Sequence, residues 1–296
     1  MRSEIKVSVC VVTYNQEKYI AECLQSLVDQ VTDFPFEIIV GEDCSTDRTR
    51  EIVLDFQRKY PDIIKPLLHV ENVGFSQNYL MTHAKAFGKY IAHMDGDDYA
   101  LPGKLQLQVD FLDKNPNCHI LWHPMLIEMS DGYIKHPNID RQAAMLYKRH
   151  FYRKDILQLI AIGGNSSKMY RKTVRDFNIP LFEVVDYFAN VEQVGEGYAT
   201  FSGDIPLGVY RAGTGIASSG SITREILAKC FLYFFDKYPE HRLQINVAVL
   251  TYLLADFKNS RPTKWLFLRV YLKTFKFLSL FELLRSLKVI NMMRKG

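Results

Sequence analysis

The sequence predicts an α/β protein in which a mostly parallel sheet is flanked by helices and followed by a helical C-terminal region. Short apolar runs of strand length alternate four times with segments of helical spacing in the first part of the chain. These runs are continuously apolar, as in parallel strands that are covered on both faces. A polar loop follows each run, and such loops gather at one edge of a parallel sheet, where α/β proteins bind ligands.

The first two strand–helix units are defined by apolar runs at Val7 to Val12 and at Phe36 to Val40. The first run leads to a helix from about Tyr19, whose apolar residues recur at helical spacing. After the second run, Thr46 or Asp47 is expected to cap the next helix. Short connections of this kind predict right-handed crossovers and therefore a parallel sheet.

The next two units complete the predicted half-sheet. A strand at about Ile64 to His69 is followed by a helix from Gln77 to Ala86, and Tyr90 to Met94 forms the fourth strand. Lys104 to Lys114 is then expected to be helical, and His119 to Trp122 to be a fifth strand. Residues 124–159 lack clear periodicity, so no element is predicted there.

The loop after the fourth strand, Asp95-Gly96-Asp97-Asp98, places three carboxylates within four residues. The carboxylates repel one another, so a cation is expected to neutralise them, and a divalent ion that bridges a diphosphate fits best. A solvated acidic turn is the simpler alternative. A calcium-binding EF-hand loop is disfavoured because its twelfth position would be Gln106, and an aspartyl phosphatase motif because Tyr99 follows Asp98.

Composition indicates a soluble globular protein, with 48% hydrophobic and 24% charged residues in a chain of 296. A net charge of +4 is too small to favour nucleic acid as the main partner. Five dispersed cysteines suit reduced thiols in the cytosol better than disulfides. The chain passes from Met1 almost directly into a strand, so no secretory signal is expected, and no apolar run is long enough to span a membrane.

Four sequence segments together carry a resemblance to a known family. They are Ser8-Val-Cys-Val-Val-Thr-Tyr-Asn15, Glu42-Asp-Cys-Ser-Thr-Asp47, Asn72-x-Gly74 and Tyr90-Ile-Ala-His-Met-Asp-Gly-Asp-Asp98. In this order they resemble the signature of the inverting family 2 glycosyltransferases, of the bacterial cell-surface polysaccharide type, with the Rossmann-like GT-A fold. The resemblance covers about the first 120 residues.

The resemblance implies a nucleotide-sugar donor, expected to be a UDP-sugar, and Mg²⁺ or Mn²⁺ as cofactor. The implied metal ligands are Asp97 and Asp95. Arg211 could neutralise the leaving diphosphate, but Gly213 stands where relatives carry a histidine near the diphosphate, which leaves a third protein ligand in doubt. The nucleotide-binding residues are expected to be Thr13, Tyr14, Asn15, Asp43, Asn72, Asn78, Asp95 and Arg211. For Asn72 and Asn78, structural turn and helix-start roles are the alternative, and for Asp43 a turn or capping role.

The residue that removes the acceptor's proton is expected near the start of a helix after Pro180. Asp186 fits that position best by resemblance and Glu183 second, since a carboxylate can accept the proton of a sugar hydroxyl as the new bond forms. Asp186 could instead simply cap the helix. The segment from Ser166 to Lys172 resembles the strand that precedes this residue in the family.

Residues 1–218 are expected to form the GT-A domain, with 1–123 binding the nucleotide-sugar and 124–218 the acceptor, and 219–296 a helical region. Pro239 and Pro262 divide that region into helices, and Ser279 and Glu282 form a possible capping box. From Arg261 onward nine basic residues accompany one acid. One helix face is expected to carry Arg269, Lys273 and Lys276, and the opposite face is expected to carry Leu268, Tyr271, Leu272, Phe275 and Leu278. A helix with one basic and one apolar face suits contact with an anionic membrane or packing on the protein itself.

These observations predict a cytoplasmic inverting glycosyltransferase, with association to the inner face of the cell membrane as a further expectation. Its acceptor would be a glycan or a lipid-linked sugar, and nucleic acid is not an expected partner. A nucleotide-sugar or glycolipid binding protein without turnover is the alternative, favoured by Gly213. A nucleotidyltransferase ranks last, because Thr13-Tyr14-Asn15-Gln16 lacks the glycines of a phosphate loop.

Overall fold

A computed structural model of the chain describes residues 4–136, 145–213 and 221–293, and it divides the chain into two compact units. The first, here the sheet unit, comprises Met1–His150, Gly163–Asn178 and Gly197–Gly215. The second, here the helical unit, comprises Phe151–Ile162, Ile179–Glu196 and Ile216–Gly296. The division differs from the predicted boundary after residue 218, because two earlier segments group with the C-terminal helices.

The four predicted strand–helix repeats are present in the sheet unit. The strands are β1 (Val7–Thr13), β2 (Phe36–Glu42), β3 (Ile64–Leu68) and β4 (Tyr90–Asp95), and the helices between them are α1 (Ile20–Val28), α2 (Thr49–Lys59) and α3 (Phe75–Ala84). All neighbouring pairs among these strands are parallel, in the order β4-β1-β2-β3. The predicted parallel half-sheet is therefore confirmed. Helix α2 begins after Arg48, and the Asp47 carboxylate accepts the N–H of Thr49 at 3.0 Å.

Three further strands complete a seven-stranded sheet with the order β10-β6-β9-β4-β1-β2-β3. They are β6 (Cys118–Trp122), which follows the predicted helix α4 (Lys104–Lys114), β9 (Met169–Arg171) and β10 (Tyr198–Phe201). Strand β9 runs antiparallel to both of its neighbours. It is shorter than the predicted strand, because Asn165–Ser167 form a 3-10 turn instead.

A second, smaller sheet has the order β5-β11-β7-β8. Its strands are β5 (Tyr99–Ala100), β7 (Leu126–Glu128), β8 (Ile134–Lys135) and β11 (Gly208–Arg211). Strands of two to four residues give little periodic signal, which is why β7 and β8 were not predicted. Strand β5 starts directly after Asp98 and pairs with β11, so the small sheet fixes the far end of the acidic loop.

The central sheet is buried on both of its faces, as the apolar runs predict. On one face, Val9, Val11, Ile38, Val40 and Ala92 are fully inaccessible and belong to one continuous core, and on the other face Cys10, Ile39 and Ile91 are buried. All five cysteines are free thiols, and all except Cys44 are buried. Burial of this extent stabilises the sheet mainly through the hydrophobic effect, and it leaves the loops at the carboxyl ends of the strands to carry the polar groups.

The helical unit contains six α-helices in the described residues. They are α5 (Arg153–Leu159), α6 (Asp186–Gln193), α7 (Ser221–Lys237), α8 (Arg242–Lys258), α9 (Lys264–Thr274) and α10 (Ser279–Met293). The breaks predicted at Pro239 and Pro262 are confirmed. One prediction is wrong: α9 ends at Thr274, and Phe275 has an extended ψ of 132°. Phe275, Lys276 and Leu278 therefore do not continue the face that carries Arg269 and Lys273.

Candidate functional site

The polar loops at the carboxyl ends of β1, β2 and β3 are hydrogen-bonded to one another. The Asp43 N–H donates to the Thr13 carbonyl at 3.1 Å. The two carboxylate oxygens of Asp43 accept the N–H groups of Val73 and Gly74 at 2.7 and 3.0 Å. The loops therefore meet at one edge of the sheet, as the strand order predicts. Asp43 is 2% exposed and acts at least as the anchor of the third loop.

The loop after β1 has a fixed conformation. Asn15 adopts a left-handed φ of +52°, its side-chain oxygen accepts the Thr46 N–H at 2.8 Å, and its own N–H donates to the Ser45 hydroxyl at 3.0 Å. The Thr13 hydroxyl donates to the Gln16 side chain at 2.8 Å. Tyr14, in contrast, is 43% exposed, so its ring is accessible to a ligand.

The two asparagines predicted near the nucleotide differ in their surroundings. Asn72 is exposed and donates to the Asp43 carbonyl at 3.1 Å. Asn78 is 2% exposed on α3, where its amide donates to the Gly41 carbonyl at 2.9 Å and its oxygen accepts the Thr82 hydroxyl at 3.2 Å. These contacts favour the structural alternative for Asn78, because they join α3 to β2 inside the protein.

A buried ion pair that the sequence reasoning missed supports the loop after β2. Glu42 is fully buried, accepts the Ser45 N–H at 2.6 Å and forms an ion pair with Arg50 of α2. Arg50 also donates to the His69 carbonyl at 2.5 Å. The Glu42 carboxylate thus has the partners that a buried charge requires, and the pair ties α2 to the ends of β2 and β3.

The acidic loop is organised around Ser166, which is 1% exposed. The Ser166 hydroxyl donates to the Asp98 carboxylate at 2.5 Å, accepts the Asp95 N–H at 3.0 Å, and lies 3.3 Å from an Asp95 carboxylate oxygen. The buried Lys104 ammonium donates to the Ser166 carbonyl at 2.5 Å. Asp97 and Asp98 are 5% and 1% exposed, whereas the Asp95 side chain is 35% exposed.

The crowded carboxylates perturb one another's ionisation. Burial and the Asp95 charge raise the pKa of Asp98 to about 8, although hydrogen bonds from Ser166 and from the Arg211 N–H oppose the rise. Burial lowers the pKa of Lys104 to about 8, while the nearby carboxylates oppose that shift. For Asp95, burial is outweighed by the contacts with His93 and Ser166, so that its pKa lies below the ordinary value. The loop carries negative charge that a bound cation would stabilise.

Arg211 lies beneath this loop and is 7% exposed. Its guanidinium donates to the Asp97 carbonyl at 2.9 Å, forms ion pairs with Glu128 at 3.0 Å and with Glu22, and packs over the Tyr99 ring at 4.7 Å. These contacts favour a role in holding the acidic loop over the predicted direct contact with a diphosphate. Gly213, two residues on, has a left-handed φ of +88°, at which the histidine expected from relatives would be strained.

The donor set of the acidic loop fits a hard divalent cation that is delivered with phosphates. In the described parts of the chain, no group of three or more histidine, cysteine, aspartate or glutamate side chains is arranged to hold a metal by itself. Mg²⁺ and Mn²⁺, however, prefer oxygen ligands, and Mg²⁺ commonly binds one or two carboxylates together with substrate phosphate and water. Asp95 and Asp97 supply such carboxylates.

Among the described residues, buried polar atoms without a hydrogen-bond partner lie at the carboxyl end of β6 and in the turn before β9. They are the Trp122 ring nitrogen Nε1, His123 Nε2 and the Asn165 side-chain oxygen. An unsatisfied buried polar atom costs about 1–3 kcal/mol.

Asp186 is the first residue of α6, in the helical unit, and is exposed. Its carboxylate accepts the N–H of Tyr187 at 2.8 Å. Glu183, the second candidate for the base, is also exposed. Both carboxylates are therefore accessible to solvent, and Asp186 also satisfies a backbone N–H in the first turn of the helix.

A seven-stranded mixed sheet that is flanked by helices and carries acidic and amide-bearing loops at its strand ends matches the fold of the GT-A transferases. Within that class, residues 8–175 match the sequence model of glycosyl transferase family 2. The chain therefore belongs to glycosyl transferase family 2.

Relatives extend this assignment without settling the substrates. An uncharacterized protein of Mycobacterium tuberculosis is 38% identical over 127 residues, which are 43% of this chain and 37% of that protein. The poly(ribitol-phosphate) beta-N-acetylglucosaminyltransferase TarS of Staphylococcus aureus is 37% identical over 114 residues, or 38% of this chain and 19% of that protein. The matched segments thus span well under half of either relative.

Solved structures share the fold at low identity. The structure of S. aureus TarS 1–349 in complex with UDP-GlcNAc has a TM-score of 0.62 at 22% identity and covers 82% of this chain and 71% of that one. The mannosyltransferase PcManGT from Pyrobaculum calidifontis, in complex with GDP-Man and Mn²⁺, has a TM-score of 0.57 at 15% identity and covers 99% and 86% of the two chains. These likenesses establish the fold.

Replacing Ser166 by alanine is expected to reduce ligand affinity at the acidic loop while the protein remains folded. The change removes the hydroxyl that donates to the Asp98 carboxylate and accepts the Asp95 N–H, so Asp98 and the Asp95 backbone each lose one contact that fixes the loop. For UDP and Mn²⁺, the ligands proposed below, we expect UDP to bind at least tenfold more weakly, as measured by calorimetry. Ser167→Ala is the matched control, because Ser167 is also fully buried but donates to the Gly164 carbonyl. Equal losses in the two variants would contradict the role of Ser166.

Proposed function

We propose that the protein is an inverting glycosyltransferase that moves a sugar from a nucleotide-sugar, a UDP-sugar in the first instance, to a hydroxyl of a glycan or lipid-linked acceptor. The observation that carries the proposal is the cluster of Asp95, Asp97 and Asp98 at the end of β4, beside the interlinked loops of β1 to β3. Family membership supports the reaction class. The names of TarS and of its UDP-GlcNAc complex support the donor and a role in cell-surface polymer synthesis.

In this proposal Asp97 and Asp95 hold Mg²⁺ or Mn²⁺. The ion supplies electrostatic stabilisation to the diphosphate as it leaves, and the Mn²⁺ in the PcManGT complex supports this choice. Tyr14 offers an exposed ring against which a nucleotide base could stack. Asp43 and Asn72 supply hydrogen-bonding groups beside it, with Thr13 and Asn15 shaping the loop.

Asp186 is proposed as the base that takes the proton of the acceptor hydroxyl. Its support is the position in the family pattern, the exposed carboxylate and the start of a helix. As the acceptor oxygen bonds to the anomeric carbon, the bond from that carbon to the diphosphate breaks and the hydroxyl proton passes to the carboxylate. A base of this kind contributes about a hundredfold or more to the rate.

The reaction class is tested by measuring nucleotide release over a panel of sugar donors, with products identified by mass spectrometry. We expect release of UDP from at least one UDP-sugar when acceptor is present, and loss of transfer on chelation of divalent ions.

Asp97→Asn should abolish transfer with the circular dichroism spectrum unchanged, because it removes a carboxylate without changing side-chain size. Full turnover in Asp97→Asn, or after exhaustive chelation, contradicts the metal site, and donor binding without any release favours the non-catalytic alternative.

Asp186→Asn is expected to lower the turnover rate about a hundredfold or more while donor affinity is retained, since the amide cannot accept the proton. Single-turnover assays and calorimetry with the donor separate these two quantities. Glu183→Gln is the matched control and should keep near wild-type turnover. The opposite result, with Glu183→Gln impaired and Asp186→Asn active, would move the role to Glu183.

We also propose that the helical unit attaches the enzyme peripherally to the inner face of the cell membrane. No helix in the described residues is long and apolar enough to cross a bilayer. Helix α10 instead has apolar side chains on two faces. Leu283 is buried, whereas Leu280, Phe281 and Leu284 are 55%, 60% and 58% exposed.

The segment before α10 extends this apolar surface. Phe275, Phe277 and Leu278 are 53%, 79% and 57% exposed. The cationic side chains of Arg269, Lys273 and Arg285 are exposed nearby in the sequence. Exposed aromatic and aliphatic side chains among cations suit an anionic phospholipid surface, where each cation contributes about 1 kcal/mol.

The membrane proposal predicts sedimentation with vesicles of phosphatidylcholine and phosphatidylglycerol, and weaker binding to phosphatidylcholine alone. The double variant Phe281→Ser/Leu284→Ser should lose at least tenfold in vesicle affinity, because it removes apolar area that would enter the interface. Leu254→Ser is the control, since Leu254 is 50% exposed on α8. Absence of vesicle binding by the wild type would contradict the membrane proposal. Self-association of the wild type that the double variant abolishes would assign the surface to a protein contact.

A further inference from the structure

A row of buried polar side chains runs beneath the acidic loop and ends on Asp95. The Tyr170 hydroxyl lies 2.6 Å from His83 Nδ1, His83 Nε2 lies 2.9 Å from His93 Nδ1, and His93 Nε2 lies 3.0 Å from an Asp95 carboxylate oxygen. His83 and His93 are 3% and 0% exposed, and Tyr170 is fully buried. The row joins α3, β4 and β9 and contains no backbone group.

The proton positions in the row follow from its last member. An ionised carboxylate only accepts hydrogen bonds, so His93 Nε2 carries a hydrogen. A neutral histidine ring donates through one nitrogen and accepts through the other, so each histidine can bridge the two neighbours that it contacts in the row. Burial, with nearby positive charge, holds the pKa of His83 well below its usual range, which favours the neutral ring. The hydrogen on His93 Nε2 therefore points toward Asp95.

The surroundings hold the rings rigidly in place. The His83 ring stacks on Tyr79 at 4.0 Å and on His93 at 5.1 Å between centroids. The buried Lys168 ammonium donates to the Tyr79 hydroxyl at 3.2 Å and lies over the Tyr79 and Tyr170 rings. A side chain that is locked by packing on both sides can fix the orientation of its hydrogen-bond partner.

Apolar residues would fill this part of the core without the cost of burying polar atoms. The polar row is arranged so that its final contact is Asp95, whose side chain is 35% exposed at the site. The second oxygen of Asp95 faces the Ser166 hydroxyl at 3.3 Å. The carboxylate is thus held from two directions while part of it stays accessible to a ligand.

We propose that His93, backed by His83 and Tyr170, is a positioning residue that fixes the Asp95 carboxylate for a divalent cation bound together with a nucleoside diphosphate. The inference rests on the proposed function, since it concerns the same acidic loop. His93 does not touch the reacting atoms and acts only through Asp95. Partners of this kind typically change metal affinity by about 10–100-fold.

The test measures Mn²⁺ binding in the presence of saturating UDP, by the electron paramagnetic resonance signal of free Mn²⁺. His93→Phe keeps a planar ring but removes both nitrogens, and we expect it to weaken Mn²⁺ binding by ten- to a hundredfold. His93→Gln places an amide N–H where the Nε2–H of histidine lies, and it should recover most of that loss. Rescue by glutamine separates hydrogen bonding from packing, because phenylalanine is the better match to the shape of the ring.

Tyr170→Phe provides a second variant that removes a single oxygen atom and preserves the fold. It should weaken Mn²⁺ binding in the same direction by a smaller factor, since it frees the far end of the row. Wild-type Mn²⁺ affinity in His93→Phe, or equal losses in the phenylalanine and glutamine variants, would overturn the positioning role alone. Absence of Mn²⁺ binding by the wild type with UDP and with GDP would overturn the proposed metal site as well.

Discussion

The cost of placing three carboxylates at the buried end of one strand governs the architecture of the sheet unit. Burial and mutual repulsion raise the pKa of Asp98 to about 8, and the surrounding groups are arranged to limit that cost. Ser166 bonds to two of the aspartates, Lys104 brings a buried positive charge to the Ser166 carbonyl, and Arg211 secures the loop backbone. Elements distant in sequence are thereby joined at one loop. The negative charge that remains is what suits the site to a cation with phosphates.

The loops after β1, β2 and β3 are organised differently from the acidic loop. Their side chains are used mainly to hold one another, as the contacts of Asp43 with Val73 and Gly74 show. The result is a rigid polar rim from which Tyr14 is left exposed. A preorganised rim of this kind lowers the entropic cost of binding a flexible ligand. Several of these polar residues therefore fix the shape of the loops instead of contacting a ligand.

The helical unit combines two kinds of apolar surface. In α10, Leu283 packs inside the unit while Phe281 and Leu284 remain exposed. A helix that is apolar all round is normally buried on every side. An apolar face that is instead left exposed near several cations has the physical properties of an interfacial membrane helix, which binds through buried apolar area and attraction to anionic lipids. In these proposals the helical unit carries both the attachment surface and the base Asp186.

The sequence by itself determined that β1 to β4 are parallel, the bounds of α4 and the loop that carries Asp95 to Asp98. These features depend on local periodicity and on the rule that parallel strands end at a common edge. Only the tertiary structure decided that β9 runs antiparallel between β4 and β6, that Asn78 and Arg211 are occupied by structural contacts, and that His83 and Tyr170 reach Asp95 through His93. The His83 and Tyr170 side chains that meet there are 87 residues apart in the chain. Contacts between residues so far apart cannot be predicted from local sequence spacing, because they depend on which strands are neighbours in the folded sheet.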